Sequence, residues 1–496
     1  MKLLYDTYEG KGAYIKGYED VSAEDAKALQ AEILADGYEI ADTHTLSGNT
    51  FIFYKKAEEN KIFSYYPNAG EIKIATDAGA LMHKTIDTSG KKLCKPLFTM
   101  VDTFDFGLSL VLRLEDGRFI VFDGGWETRD YAERLMAVLK KQCVTEKITI
   151  AAWIMTHPHI DHYRCYISFA KKFENQYTVE RFIYNFFDAD AAEDFIAGAS
   201  KEGPHMARFF EAVAQSGAPV YRAHTGEIFE IGGMRFETLS TPDDTMKNRV
   251  TSINALSLVY KIFYADQTLL ITGDAMLPSS HLASRFGEYL KSDILQVPHH
   301  MFDGGCIACY RLIDPETIVI PCEDEYVFSV FSTRAGHTKE PNLFLLRDLN
   351  VKDCYTGARG NVILELPYTP RANGRELLLA DIERGDRSIG ARDWYFGDIT
   401  TENCRFTVVN TSWETAIFRI DILAEAGEVS VHDFKELSVP KSCFKSFSLT
   451  DAEGYEADAR GGEIEKYIKE GRKYVVRFRC YTPMIVKGPS EPIYHS

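Results

Sequence analysis

Apolar positions fall into three successive textures along the chain. In the first, residues 1–95, one helical spacing is followed by strand-like runs. Ser22 and Asp25 stand at the spacing of a capping box, in which hydroxyl and carboxylate satisfy each other's backbone N–H groups. The spacing predicts a helix over 26–34 that stops near Gly37, and β-rich runs at 50–54 and 62–66 predict strands. Lys91, Lys92 and Pro96 mark a linker. In the second texture, 96–370, strand-like and helical runs alternate. Residues 108–112 and 119–122 read as a hairpin about Glu115-Asp-Gly117, and 130–141 as an amphipathic helix. The nearly continuous apolar run 148–155 is that of a strand buried on both faces, and 164–173 follows as a helix. In the third, short β-rich runs recur at 405–409, 416–423, 429–431, 444–449 and 474–479, predicting a separate antiparallel β-sandwich over 395–496.

Composition narrows the function classes. A chain of 496 residues suggests two to four domains, and 45% hydrophobic with 26% charged residues is an ordinary globular balance. The net charge of −17 argues against broad affinity for nucleic acid or anionic membranes. It leaves room for a small-molecule or phosphorylated substrate, because a metal site supplies its own positive charge. Acidic residues interrupt the N-terminus before a signal-length apolar stretch forms, and no apolar segment reaches the roughly 18 residues of a membrane span. Ten scattered cysteines read as reduced thiols, so a cytoplasmic location is expected. Cys306-Ile-Ala-Cys309 has no matching second pair and reads as two incidental thiols.

The candidate chemistry concentrates just past the 148–155 run, in Thr156-His-Pro-His-Ile-Asp-His162. His157 and His159 alternate around Pro158, so their imidazoles can converge on one cation, while Asp161 and His162 can serve a second. Imidazole with carboxylate suits zinc, and less often iron or manganese. Buried without partners, so many polar groups would be costly, which argues against a packing accident. Two further apolar strands end in candidate ligands. One closes in Gly273-Asp274, where a carboxylate can bridge two cations; the other closes in Val297-Pro-His-His300. Adjacent side chains diverge, so one of His299 and His300 is expected to bind metal and the other to act on substrate or orient the first. Asp123, in Val121-Phe-Asp-Gly-Gly125, stands at another strand end, where it can hydrogen-bond a ligand histidine. Arg164, beside Tyr163, reads either as a contact for an anionic substrate or as a solvated helix-start residue. Phe186-Phe187 and Met301-Phe302 either narrow the pocket or belong to the core, with core favoured.

Asp-Gly-Gly, His-x-His-x-Asp-His, Thr-Gly-Asp and Val-Pro-His-His, in that order over 97–368, resemble the metallo-β-lactamase superfamily. Within it the chain is most similar to the soluble counterparts of the hydrolase domain of bacterial DNA-uptake channel proteins. Asn254 ahead of Ser257-Leu-Val259, and His337 in a loosened Gly-His-Pro segment, carry that likeness. Teichoic-acid phosphorylcholine esterases share a similar layout. The resemblance implies an α/β fold, an αββα sandwich with metals at the edge between two sheets. It implies two zinc ions per chain, with manganese or iron as alternatives. His157 and His159 would hold one, Asp161, His162 and His300 the other, and Asp274 would bridge. The implied reaction is metal-dependent hydrolysis by a metal-bound hydroxide, on a phosphoester or phosphodiester. Asp161 would orient the nucleophile and His299 would protonate the leaving group.

Departures from the family pattern are Tyr163-Arg164 for Gly-Gly and Met301-Phe302 for Gly-Ser. A further histidine ligand of the first site has no clear counterpart. His205 and His224 read as surface residues, and Asp243 or Asp244 could substitute. Two alternatives stand beside the hydrolase. A flavin-linked di-iron oxidoreductase is disfavoured by His159, where that class carries Glu. A non-catalytic binding or scaffold protein is favoured by the missing ligand and by Tyr163 and Arg164.

Overall fold

The computed structural model describes all residues except 11–12, 103–105, 128–129, 188–198, 246–251, 323–326, 328–338, 358–359, 384–391, 401–403, 411–414, 427–428, 441–443, 452–455, 459–472, 481–484, 488–492 and 496, and from 381 onward it describes backbone alone. Two compact units result. One takes Met1–Glu127, Tyr131–Gly357 and Asn361–Arg384; the other takes Thr128–Asp130, Ala358–Gly360 and Gly385–Ser496.

The first unit is mixed α/β with three sheets. Its N-terminal sheet has six antiparallel strands in the order Lys2–Gly10, Ala13–Glu19, Glu71–Asp77, Glu59–Tyr66, Asn49–Lys56 and Glu39–Leu46. The helix Ala23–Ala35 opens with the capping box, Ser22 accepting from the Asp25 N–H and Asp25 from the Ser22 N–H. Sequence pattern marked two of these six strands. The outermost strand, Glu39–Leu46, is largely solvent-facing and carries no apolar alternation that would announce it.

Two eight-stranded sheets build the centre. One runs Val220–Arg222, Phe182–Tyr184, Ile148–Ile154, Phe119–Asp123, Ser109–Arg113, Leu97–Met100, Val362–Glu365, with Tyr177–Val179 also paired to Ile148–Ile154. The other runs Asp353–Thr356, Thr317–Ile320, Ile294–Gln296, Gln267–Ile271, Val259–Tyr264, Met234–Ser240, Ile228–Ile231, Ile86–Asp87. Period-two alternation sorts their side chains into separate cores. Ile120, Phe122 and Ile154 of the first sheet share a core with Tyr260, Ile262, Leu269 and Ile271 of the second. On the other face of the first sheet, Val121 and Trp153 pack with Leu135, Tyr166 and Phe209 from the helices Tyr131–Gln142, Cys165–Lys172 and Gly203–Ser216. On the other face of the second, Leu270, Leu295 and Ile318 pack with Tyr310 of the helix Ile307–Ile313 and with Phe51, Phe53 and Ile62 of the N-terminal sheet. Ile148–Ile154, paired on both sides and buried along its length, is the central strand its apolar run predicts.

The second unit contains two antiparallel sheets. They run Glu456–Asp458, Phe444–Asp451, Lys473–Cys480, Arg392–Thr400, Ile493–His495, and Cys404–Asn410, Thr415–Ala426, Val429–Pro440, Ile485–Lys487. Among the described residues no helix is long and apolar enough to cross a membrane.

Candidate metal centre

Strand direction brings the candidate residues to one edge. Phe119–Asp123 and Ile148–Ile154 are parallel, so Asp123 and the loop Thr156–His162 leave the first sheet on the same side. Gln267–Ile271 and Ile294–Gln296 are also parallel, and deliver Asp274 and His299–His300 from the second sheet. The two edges are fastened together: the Leu258 N–H donates to the Thr156 carbonyl at 3.0 Å. Gly273, at φ +54°, lies so close to Thr156 that a Cβ there would be 2.8 Å from the Thr156 Cβ. Ligands carried on rigid strand ends are held more precisely than ligands in a long loop.

The structure brings together all six residues expected as ligands, in two groups that share one carboxylate. Asp161, His162, Asp274 and His300 form one group that could hold a metal ion; His157, His159 and Asp274 form the other. Asp274 Oδ2 is the common point, 3.1 Å from His162 Nε2, 3.3 Å from His300 Nε2 and 3.8 Å from His157 Nε2. Asp161 Oδ2 lies 3.1 Å from His300 Nε2 and 3.6 Å from His162 Nε2. Two ligands each bound about 2.0–2.1 Å from a tetrahedral cation stand about 3.3 Å apart, the spacing seen here. His157 Nε2 and Asp274 Oδ1 are buried without a hydrogen-bond partner, a costly arrangement for polar atoms that a cation would resolve.

The far sides of the His157, His162 and His300 rings are fixed. Asp123 is fully buried at φ +56°, and its carboxylate accepts from the Thr156 N–H at 2.7 Å and the Thr156 hydroxyl at 2.7 Å. His162 Nδ1 lies 2.8 Å from the same carboxylate. The Thr156 hydroxyl, its proton committed to Asp123, is left to accept from His157 Nδ1 at 3.1 Å. His300 Nδ1 donates to the Pro321 carbonyl at 2.9 Å. With all three Nδ1 atoms occupied, three Nε2 lone pairs face the centre, which is the tautomer that metal ligation needs. One buried carboxylate therefore orients two imidazoles, His162 directly and His157 through Thr156. The role of Thr156 was visible in the sequence only as a neighbour of the cluster.

Without a cation the second group holds protons. Burial opposes a charge on His162 and His300, but Asp274 and Asp161 outweigh it, raising His162 well above the ordinary imidazole value and His300 to about 9. Burial likewise pushes Asp274 and Asp161 up, and the facing His162 and His300 reverse this and hold both carboxyls low. His157 and His159 are pushed down, first by burial.

The remaining candidates surround this centre. Arg164 is buried at one side, its Nη2 donating to Glu202 Oε2 at 2.8 Å, and Tyr163 OH lies 3.4 Å from the same oxygen. Glu202, which had no sequence signal, thus pairs one nitrogen of the guanidinium, while Arg164 Nε is buried without a hydrogen-bond partner. His299 lies between Asn254, whose amide nitrogen is 2.8 Å from Nε2, and Asp303, hydrogen-bonded to Nδ1. Asp303 stands four residues past His299, a spacing that becomes meaningful only because His299, His300 and Met301 all have left-handed φ of +47°, +49° and +68°. His337, and the side chain of Asp244, lie outside the described residues.

Two expectations are corrected. His224 is not a surface residue: it is buried, 2.7 Å from Asp243 and 2.6 Å from Asp77 of the N-terminal sheet. Asp243, bonded also by Asn185 at 2.9 Å, is committed to that network and stands in neither ligand group. A long-range ion pair of this kind has no signature in local sequence. Phe186 and Phe187 are core residues. Met301 is also core, whereas Phe302 is partly exposed against His299 and His300.

No family model and no curated protein matches this sequence. Three solved structures show faint likenesses. A protein of Parabacteroides distasonis, provisionally assigned as a metal-dependent hydrolase, is 13% identical over 64% of this chain and 98% of its own, with a TM-score of 0.27. A β-lactamase domain protein from Burkholderia ambifaria is 15% identical over 52% of this chain and 68% of its own, TM-score 0.23. A flavo di-iron protein variant from Thermotoga maritima is 14% identical over 77% of this chain and 62% of its own, TM-score 0.19. Likenesses this slight carry no argument, and what the chain does is read from its own buried His/Asp cluster, a mixed α/β centre that could hold metal.

Proposed function

We propose that this chain is a metal-dependent hydrolase on an αββα metallo-β-lactamase framework, holding two zinc ions and acting on a phosphoester or phosphodiester. The observation that carries the reading is the set of three buried imidazoles, each tied at Nδ1 and each presenting Nε2 toward the shared Asp274. Donors that are all imidazole and carboxylate, with no thiolate, suit zinc, with manganese or iron next.

His157, His159 and Asp274 would hold one ion, and Asp161, His162, His300 and Asp274 the other. Bound there, such ions supply Lewis acidity and acidify water enough for it to attack at neutral pH. The protein's own groups do the rest. Asp161, buried in the cluster and 6% exposed, would orient the attacking water or take its proton. His299, held between Asn254 and Asp303, would give a proton to the leaving oxygen when its ring carries one at Nε2. Residues 395–496 would form an accessory β-sandwich, and the protein would work in the cytoplasm.

The test joins metal quantification to a screen of phosphomonoesters, phosphodiesters, thioesters and lactams, with His157→Ala as control. Stoichiometric metal with phosphoester turnover lost in His157→Ala is the expected result. Activity that survives the substitution would place the chemistry elsewhere, and a metal-free protein would favour a scaffold.

A further inference from the structure

Two thiols outside the ligand groups stand in the arrangement that dithiol chemistry needs. Cys306, in extended backbone at φ −147°, is the residue before the helix Ile307–Ile313, and Cys309 is the third residue within it. Side chains at those two positions of a helix start turn toward each other, as Ser22 and Asp25 do, 2.9 Å apart, ahead of Ala23–Ala35. The Cys306 thiol makes no bond to the N–H groups of the helix it precedes, and it lies within hydrogen-bonding reach of Cys309. Cys306 is partly exposed, whereas Cys309 is 1% exposed, its Sγ 3.8 Å from the Leu277 carbonyl oxygen. Burial, with Cys306 beside it, pushes the Cys309 thiol up, which leaves Cys306 as the sulfur that meets an oxidant first. Cys306 also ends the loop that starts at the paired histidines. Asp303 holds His299 at Nδ1, and the Gly304 carbonyl accepts from the Leu277 N–H at 3.0 Å. A Cβ on Gly304 would be 3.0 Å from the His299 Cβ and 3.0 Å from the Ala275 carbonyl oxygen, so this part of the loop is closely packed.

We infer that Cys306 and Cys309 are a redox-active pair, closed to a disulfide by a small disulfide of the glutathione class, and that closure shifts the loop that holds His299. The Cys306 sulfur, as thiolate, attacks one sulfur of the small disulfide, and one thiol leaves with the proton that Cys306 gave up. Cys309 then attacks the Cys306 sulfur of the mixed disulfide, and its proton goes to the second departing thiol. Two protein thiols are oxidised and one small disulfide is reduced to two thiols. Covalent bonding draws the sulfurs closer than two thiols can stand, and takes from Cys309 the S–H that faces Leu277. Cys306 is three residues from Asp303, with closely packed Gly304 between them, so its movement reaches the contact with His299. The C-x-x-C spacing alone reads as two incidental thiols; the position at a helix start and the contrast in burial change that reading. The inference does not depend on the hydrolase reading.

Equilibration of the full-length protein in glutathione buffers, from fully reduced to fully oxidised, tests this without turnover. Free thiols are alkylated after an acid quench, and the tryptic segment 292–311, which carries these two cysteines and no other, is weighed by mass spectrometry. The expected result is a peptide that passes from doubly alkylated to unalkylated and lighter by two hydrogens, and that returns with dithiothreitol. Cys306→Ser should abolish the bond and leave the buried Cys309 without a glutathione adduct, whereas Cys309→Ala should trap the adduct on Cys306. A wild-type peptide that stays doubly alkylated in oxidised glutathione overturns the pair. So does one that keeps glutathione on Cys306, or one that is linked to another cysteine. Carbethoxylation of His299, read from fragments of the same peptide at matched metal content, tests the loop. Its rate should change several-fold between the reduced and oxidised forms of the wild type and not at all in Cys306→Ser. Equal rates overturn the link to His299 while leaving the disulfide standing.

Discussion

Asp123→Asn isolates the proposition that one carboxylate outside the ligand groups sets the geometry of two imidazoles. Asn tolerates the φ of +56° at this position, so the backbone need not move. The native carboxylate accepts three bonds, from the Thr156 N–H, the Thr156 hydroxyl and His162 Nδ1. An amide offers only one oxygen. If that oxygen keeps the Oδ2 place, the NH2 group confronts the Thr156 N–H, and a buried donor is left unpaired at about 1–3 kcal/mol. If it takes the Oδ1 place, the NH2 confronts His162 and the Thr156 hydroxyl. His162 must then put its proton on Nε2, where a cation should bind, and the hold of Thr156 on His157 is lost as well. Adding the loss of charge on the surviving bonds, the variant should be destabilised by about 2–4 kcal/mol. Its metal affinity should fall roughly 10–100-fold, the usual effect of removing the group that orients a ligand histidine. Urea unfolding of the metal-stripped protein measures the first quantity, and competition with a chromophoric chelator the second. A variant that binds zinc within about twofold of the wild type, at whatever stability, would refute the orientation argument.

Other consequences are open to direct measurement. His300, raised to about 9 in the metal-free centre, and His162, also raised well above the ordinary imidazole value, must lose protons to bind a cation, so zinc affinity should climb as pH rises toward 9. Calorimetry at pH 7 in buffers of different ionisation enthalpy should show about two protons released on full loading, and none released would contradict the assignment. His224 is lifted to about 10 by Asp77 and Asp243 against burial, a folded value above the ordinary 6.5. Its stabilisation is therefore complete below about pH 6.5 and fades as pH climbs through 10; melting of zinc-saturated protein across that window should show the decline, and His224→Gln should flatten it. The same substitution leaves Arg222 as a cation still paired with both buried carboxylates and should cost at most about 3–5 kcal/mol at pH 6. Gly273→Ala combines φ +54° with a Cβ 2.8 Å from Thr156, and should cost about 1–3 kcal/mol and weaken zinc binding by displacing Thr156; a variant with wild-type melting temperature and affinity would show that the approach is not tight.

What sequence could and could not disclose divides along the range of the interactions. The heptad 156–162, Asp274 and His299–His300 announced themselves because each follows an apolar strand, and parallel strands carry their ends to one edge. The cap at Ser22 and the strand at Ile148 were legible for the same local reason. Glu202 meeting Arg164, and Asp77 meeting His224, were not, since partners 38 and 147 residues apart leave no pattern in either segment. The left-handed run His299–Met301 was hidden too: nothing in Pro-His-His-Met marks positive φ, which glycine or asparagine usually signals. That run lets both rings approach the centre, His300 Nε2 at 3.3 Å and His299 Nε2 at 3.9 Å from Asp274 Oδ2, with the far side of His299 held by Asp303.

Asp274 Oδ2 stands within 3.1–3.8 Å of imidazoles from both groups, so two ions held there would share a ligand and could not bind independently. Whatever free energy the first ion adds to or takes from the second, the second must return to the first in equal measure. If two ions bind, such a centre would fill along a coupled isotherm rather than as two independent ones.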